Sequence, residues 1–225
     1  MSDHILYSAE VQNNFKKGNT TMKIVFQGDS ITDAGRDRSD CHHLGNGYPK
    51  YAADCIKAAH SDTDIEFMNF GVSGNRSCQL FDRLYAEGIT QQPDVISILI
   101  GINDIWHRHS ARILTTDEQL ILNYRETLKR LKAETNAKIV MLAPFLLDCT
   151  DKEAIRADLH RILPAIRELA KEYADVYIPL DELFEEALKT QPEPHYYSGD
   201  GVHPNGNGAA FIGELYAKAI AHLIG

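Results

Sequence analysis

A serine, a histidine and an aspartate can carry out acyl transfer once a fold brings them together, and four short segments of this chain hold the residues for it. They are Gly28-Asp29-Ser30-Ile31-Thr32-Asp33, Gly71-Val72-Ser73-Gly74-Asn75, Gly101-Ile102-Asn103-Asp104 and Gly199-Asp200-Gly201-Val202-His203-Pro204. A serine hydroxyl is a weak nucleophile until an imidazole accepts its proton, and the imidazole needs an acceptor that fixes its tautomer. The tetrahedral intermediate then needs preorganised donors around its oxyanion. The N–H groups of a glycine loop and an asparagine amide are donors of that kind. Singly, each segment has an ordinary structural reading: a cap or turn at Asp29-Ser30, positive φ or close approach at Gly71 and Gly74, an Asx-turn at Asn103-Asp104, a loop histidine at His203. Spacing alone does not choose the histidine. With 18 Asp and 10 His in 225 residues, about 0.8 Asp-x-x-His spacings are expected by chance, and the chain holds three, Asp40/His43, Asp104/His107 and Asp200/His203. Context favours the last, which lies far down the chain between a Gly-Pro-rich loop and a helix. The order Ser, Asp, His is one of several that build this geometry.

The elements that must position these residues are legible as alternating periodicities. Short β-branched runs at Met22–Gln27, Ile65–Asn69, Val95–Ile100, Lys138–Leu142 and Val176–Ile178 read as strands. Helical periods fall near Tyr48–Ala59, Gln79–Glu87, Thr116–Thr135, Lys152–Tyr173 and Leu180–Thr190, with a last helix from about Asn207 to Leu223. The third strand is apolar at five of six positions, as a strand covered on both faces should be. The helix after it opens on Thr116 with Gln119 three residues on, a capping-box spacing, and repeats Leu120, Tyr124, Leu128 and Leu131 on one face. Strand–helix alternation of this kind predicts an α/β fold with a five-stranded parallel sheet, right-handed crossovers and helices on both sides. Ligands of such sheets bind beyond the carboxyl ends of the strands, where three of the four segments fall.

Together the four segments resemble the SGNH (GDSL-type) hydrolase superfamily from Met22 onward, in the order Gly28-Asp29-Ser30, Asn69-x-x-x-x-Gly74, Gly101-x-Asn103-Asp104, Asp200-x-x-His203. The resemblance implies a flavodoxin-like α/β/α sandwich. It implies Ser30 as nucleophile, His203 as general base, Asp200 as its orienting partner, and an oxyanion hole of the Ser30 and Gly74 N–H groups with the Asn103 side chain. Ile31 stands where the family name has leucine. Finer features are similar to the cytoplasmic acetylxylan and oligosaccharide esterases: Gly28-Asp-Ser-Ile-Thr-Asp-Ala-Gly-Arg36, Gly47-Tyr48, Gly71-Val-Ser-Gly-Asn75, and Trp106 in Gly-Ile-Asn-Asp-Ile-Trp. Trp106, the only Trp, then stands as a substrate-binding platform for a sugar ring or small acyl group. The function implied is a serine esterase that hydrolyses O-acyl esters, acetyl foremost, of a sugar or short oligosaccharide. A thioesterase or lysophospholipase of the same superfamily is the alternative. A flavodoxin-like phosphate-binding protein is the alternative of another class; it leaves Gly74, Asn103 and Asp200/His203 without purpose, and the charge of Asp29 would repel the phosphate.

Composition narrows the partners. The net charge of −9 argues against nucleic acid or an anionic membrane and favours a neutral small-molecule ester. Cys41, Cys55, Cys78 and Cys149 form no C-x-x-C pair and read as free thiols, which together with the lack of a signal-peptide pattern or an apolar run of membrane length predicts a cytoplasmic protein. No cofactor is expected and no metal: His42-His43 and His107-Arg108-His109 lack a third and fourth ligand. Arg36 and Arg38 read as solvated loop charges. No repeat, linker or low-complexity tract divides the chain, so residues 1–225 are expected to form one domain. Residues 1–21 would be an arm or hairpin before the first strand, and a homo-oligomer stays open.

Overall fold

Five strands, β1 (Met22–Gly28), β2 (Ile65–Asn69), β3 (Val95–Leu99), β4 (Lys138–Leu142) and β5 (Val176–Ile178), form one parallel sheet in the order β2-β1-β3-β4-β5. The structure is a computed structural model that describes residues 21–224; the N-terminal arm or hairpin expected from the sequence falls outside the described residues. The strand order is that of the flavodoxin-like doubly wound sheet. β1 to β2 moves one way across the sheet and every later step moves the other way, so right-handed crossovers send their helices to opposite faces. Accordingly α2 (Tyr48–Ala59) packs against α8 (Gly206–Ile220), whereas α3 (Ser77–Leu84), α5 (Asp117–Glu134) and α6 (Glu153–Tyr173) pack in succession on the other side. Three further α-helices lie among the described residues: α1 (Ser30–Asp33), α4 (Ile102–Ser110) and α7 (Leu180–Leu188).

The core sits where the apolar runs predict. Val95, Ile96, Ile98 and Leu99 of β3 are almost wholly buried, each contributing roughly 1.5–3 kcal/mol of hydrophobic stabilisation. α5 begins with the expected reciprocal cap: the Gln119 N–H donates to Thr116 Oγ1 at 3.2 Å, and the Thr116 N–H to Gln119 Oε1 at 2.9 Å. Its Leu120, Tyr124, Leu128 and Leu131 face the sheet, and the Tyr124 hydroxyl donates to the Ile100 carbonyl at 3.0 Å, fixing the helix to the end of β3. Among the described residues no helix is long and apolar enough to cross a membrane.

Two elements depart from the sequence reading. The segment after Gly101 is not a loop but helix α4, with Ile102, Asn103, Asp104 and Ile105 buried at its start. The helix expected at Gln79–Glu87 begins earlier, at Ser77, and ends in a π-type turn, Tyr85–Ile89. The buried Asp104 carboxylate accepts the Ser77 N–H at 2.8 Å and the Ser77 hydroxyl at 2.6 Å, joining the starts of α3 and α4.

Candidate active site

β1 and β3 lie side by side at the centre of the sheet with Gly28 paired to Leu99, so the loops that follow them emerge at one level. Gly28 is required there by contact: a Cβ would lie 2.2 Å from Thr32 Oγ1 and 2.5 Å from the Leu99 carbonyl oxygen. The chain turns directly into α1, where Asp29 is the cap and accepts the Ile31 N–H at 3.0 Å. Ser30 is thereby the first residue of a helical turn at the carboxyl edge of the sheet.

Ser30 Oγ lies 2.9 Å from His203 Nε2, and His203 Nδ1 lies 2.7 Å from Asp200 Oδ2. The second carboxylate oxygen accepts the N–H groups of Val202 and His203 at 2.9 and 2.8 Å. Burial raises the Asp200 pKa, but these hydrogen bonds from the His203 and Val202 N–H groups and from the His203 ring outweigh it and hold the carboxyl at about 2. Asp200 is therefore anionic at any pH where an imidazole titrates, and it can stabilise an imidazolium at His203. The loop carrying both residues is tightly tied. The Ser198 hydroxyl donates to the His203 carbonyl at 2.8 Å and accepts the Gly201 N–H at 2.9 Å. Gly201, at φ +87°, presses against the Leu147 carbonyl, where a Cβ would come within 2.3 Å. Lys152 Nζ donates to the Asp200 carbonyl at 2.5 Å.

The glycine loop after β2 is held against α1 from both ends. Asn69 Nδ2 donates to the Thr32 carbonyl at 2.8 Å, while the Asp33 carboxylate accepts the Ser73 N–H at 2.8 Å and the Ser73 hydroxyl at 2.9 Å. Gly74 adopts φ +82° with open space where a Cβ would stand. The N–H groups of Ser30 and Gly74 donate to no other described residue. Asn103 Nδ2 donates to the Asn75 carbonyl at 3.1 Å, which occupies one of its two hydrogens and fixes the amide beside the same loop. Two backbone N–H groups and one amide hydrogen are thus left without a protein acceptor in the segments that follow β1, β2 and β3.

The structure separates the three Asp-x-x-His spacings. Asp104 is occupied by Ser77, and His107 Nδ1 is buried without a partner. His43 uses Nδ1 to accept the Asp37 N–H at 2.9 Å. Only Asp200/His203 forms a side-chain pair, and that pair reaches the serine. Trp106, on α4, is half-buried with its ring centroid 6.3 Å from that of His203, and the Lys152 ammonium lies 4.9 Å from the indole centroid. The His203 side chain keeps 52% of its surface exposed, so the Ser30–His203 pair is reached from an open face.

Several supporting residues escaped the sequence reading. Arg36 is not a solvated charge but is buried, with Nε donating to the Gly71 carbonyl at 2.8 Å. Arg38 is half in solvent and pairs with the buried Asp33. Arg83 donates to the Gly28 and Phe70 carbonyls, to Gln27 and Asn75, and pairs with Glu87. A charge three residues after the buried Leu80 and one before the buried Leu84 was the available signal for it. Asp29 is wholly buried with Oδ2 unpartnered, and burial pushes its carboxyl up to about 7 against the pull of the Ile31 N–H and of His203.

Comparison with known proteins places the chain in a family. The model of the GDSL-like lipase/acylhydrolase family matches residues 26–211. An acetylxylan esterase of Geobacillus stearothermophilus is 30% identical over 205 residues, covering 88% of this chain and 93% of that protein. Among solved structures, a candidate GDSL-like lipase from Parabacteroides merdae superposes with a TM-score of 0.85 at 32% identity, covering 90% of this chain and 97% of that one. A catalytic mutant of the Geobacillus stearothermophilus esterase superposes with a TM-score of 0.81 at 26% identity, covering 90% and 96%.

Proposed function

Since the chain belongs to the GDSL-like lipase/acylhydrolase family and is a carboxylic ester hydrolase, we propose that Ser30, His203 and Asp200 are its catalytic triad and that it removes O-acyl groups, acetyl foremost, from a sugar or short oligosaccharide. The observation that carries this reading is the continuous chain from Ser30 Oγ through His203 to Asp200 at 2.9 and 2.7 Å. His203 Nε2 takes the hydroxyl proton as Ser30 Oγ attacks the acyl carbon. The carbonyl oxygen, now an oxyanion, accepts from the Ser30 and Gly74 N–H groups and the free hydrogen of Asn103 Nδ2. The imidazolium, paired with ionised Asp200, returns the proton to the departing alkoxide oxygen and leaves an ester on Ser30. Water, deprotonated by the same imidazole, then releases the acid and restores the hydroxyl.

The carbohydrate reading rests on the acetylxylan esterase relatives, among whose solved structures are catalytic mutants that replace a serine, an aspartate and a histidine. It rests also on the indole of Trp106 beside His203, an apolar face suited to a pyranose ring. A long acyl chain gains about 0.8 kcal/mol per buried CH₂ only where an apolar groove can bury it. The segment from Thr32 to Gly47 beside Ser30 is polar and charged. The test is a panel of aryl esters of two, four, eight and twelve acyl carbons alongside acetylated xylo-oligosaccharides. Activity should fall steeply beyond about four carbons, acetylated sugars should exceed aryl acetates in kcat/KM, and Trp106→Ala should harm the sugar ester more than the aryl ester. A maximum at eight to twelve carbons would favour the lysophospholipase-like alternative, and a preference for thioesters the thioesterase.

A further inference from the structure

The connection between α1 and α2 gathers metal-binding atoms that the sequence reading did not assemble. His42 was to lack further ligands, yet one ligand atom from each of Asp40, Cys41 and His42 falls within 4.8 Å of the other two. His42 Nδ1 stands 3.4 Å from Asp40 Oδ1 and 3.6 Å from Cys41 Sγ. The first separation exceeds a normal N–H···O hydrogen bond of about 2.7–3.2 Å. Both match the edges of a tetrahedron around zinc. Bonds of about 2.05 Å to N, 2.1 Å to O and 2.3 Å to S at tetrahedral angles place N and O about 3.4 Å apart and N and S about 3.6 Å apart.

The far side of the imidazole supplies an independent observation. His42 Nε2 lies 2.8 Å from Glu66 Oε1 on β2. Zinc-bound histidines characteristically donate their other ring N–H to a carboxylate in this way, which fixes the tautomer and turns the lone pair toward the metal. Glu66 and Asp40 favour the protonated ring in the empty site, so the cation takes the place of the proton on Nδ1, which faces the carboxylate oxygen and the sulfur. The backbone is also set for it: the His42 N–H donates to Asp40 Oδ1 at 2.9 Å, and the Cys41 carbonyl accepts the Asn69 N–H at 2.7 Å at the end of β2. Neighbouring His43 is not part of the group, since its Nδ1 accepts from Asp37.

We infer that Asp40, Cys41 and His42 form a site for a zinc-like divalent cation, with water as the fourth ligand and Glu66 orienting the imidazole. Thiolate, imidazole and carboxylate together suit zinc over magnesium or calcium. On binding, the Cys41 thiol gives its proton to solvent and the sulfur bonds the metal as thiolate; affinity therefore weakens as pH falls, with His42 protonation adding to the loss. Asn69 also holds the Leu44 and Thr32 carbonyls, so the cation would tether this connection at the glycine loop rather than enter the ester chemistry.

The test is titration of the purified metal-free chain with Co²⁺, followed by the thiolate-to-cobalt charge-transfer band in the near ultraviolet, with Zn²⁺ as competitor. One equivalent should bind. Cys41→Ser should abolish the band, and His42→Gln should weaken binding tenfold or more. Glu66→Gln should keep the band while weakening affinity by about 10–100-fold. Cys55→Ser and His43→Ala should change nothing, and aryl acetate turnover reports that each variant is folded. Absence of the band at millimolar Co²⁺, or its survival in Cys41→Ser, would overturn the assignment.

Discussion

Asp29→Asn isolates the energetic consequence of burying a carboxyl next to Ser30. The Asp29 side chain is fully buried, with no surface for solvent to screen, and burial lifts its pKa from 3.8 to about 7. A carboxyl whose folded pKa exceeds its unfolded one favours the protonated folded state. The folded state therefore loses stability as pH climbs from the unfolded pKa and stops losing it above the folded pKa. At about 1.36 kcal/mol per unit, this group costs the fold roughly 1.5 kcal/mol at pH 5 and roughly 4 kcal/mol at pH 8.5. Asparagine keeps an oxygen for the Ile31 N–H but cannot ionise. The stability of the variant relative to the parent should therefore rise by about 2–3 kcal/mol from pH 5 to pH 8.5. Urea unfolding of both proteins at the two pH values, monitored by far-ultraviolet circular dichroism, reads the difference directly. A stability gap constant to within about 0.5 kcal/mol across that range would refute the reasoning, because the linkage requires the gap to widen.

The donors around Ser30 make a second expectation: Asn103→Ala should lower kcat by roughly 10²–10³, about 2.7–4 kcal/mol, with little change in KM, because its amide meets a full negative charge only in the transition state. Should KM rise instead, Asn103 contacts the ground-state substrate. His203→Ala should lower kcat by about 10³-fold or more, whereas His43→Ala and His107→Ala should stay within about tenfold, since neither imidazole has an aspartate side-chain partner. Steady-state kinetics on one short-chain aryl ester distinguishes all three, and an essential His43 or His107 would move the site.

The fold was legible because its signals are local and repeated. A strand covered on both faces needs a continuous apolar run, and Val95–Leu99 is one; a long amphipathic helix needs a stripe and a cap, and Thr116–Glu134 has both. Helix α4 was not legible. Its apolar residues Ile102, Ile105 and Trp106 span little more than one turn among polar residues that read as a turn, and its start is tied to α3 by the capture of Ser77 by Asp104. The four candidate segments could be found because each is contiguous and three of them sit at strand ends. The residues that fasten them together could not. Arg83 reaches carbonyls 13 and 55 residues away in the chain, and Arg36 meets Gly71 only because β2 and β1 are neighbours. The Asp40-Cys41-His42 cluster was hidden for a related reason. Three adjacent residues converge on one point only when the backbone bends as the Asp40 side chain bends it, by accepting the N–H of His42.

The central claim is that Ser30 becomes acylated, and mass spectrometry of the intact protein after treatment with a fluorophosphonate tests it most directly. The account predicts one adduct per chain, located by peptide mapping to the segment containing Ser30 and lost, together with ester turnover, in Ser30→Ala. An adduct that persists in Ser30→Ala, or one that maps to another residue, would contradict it.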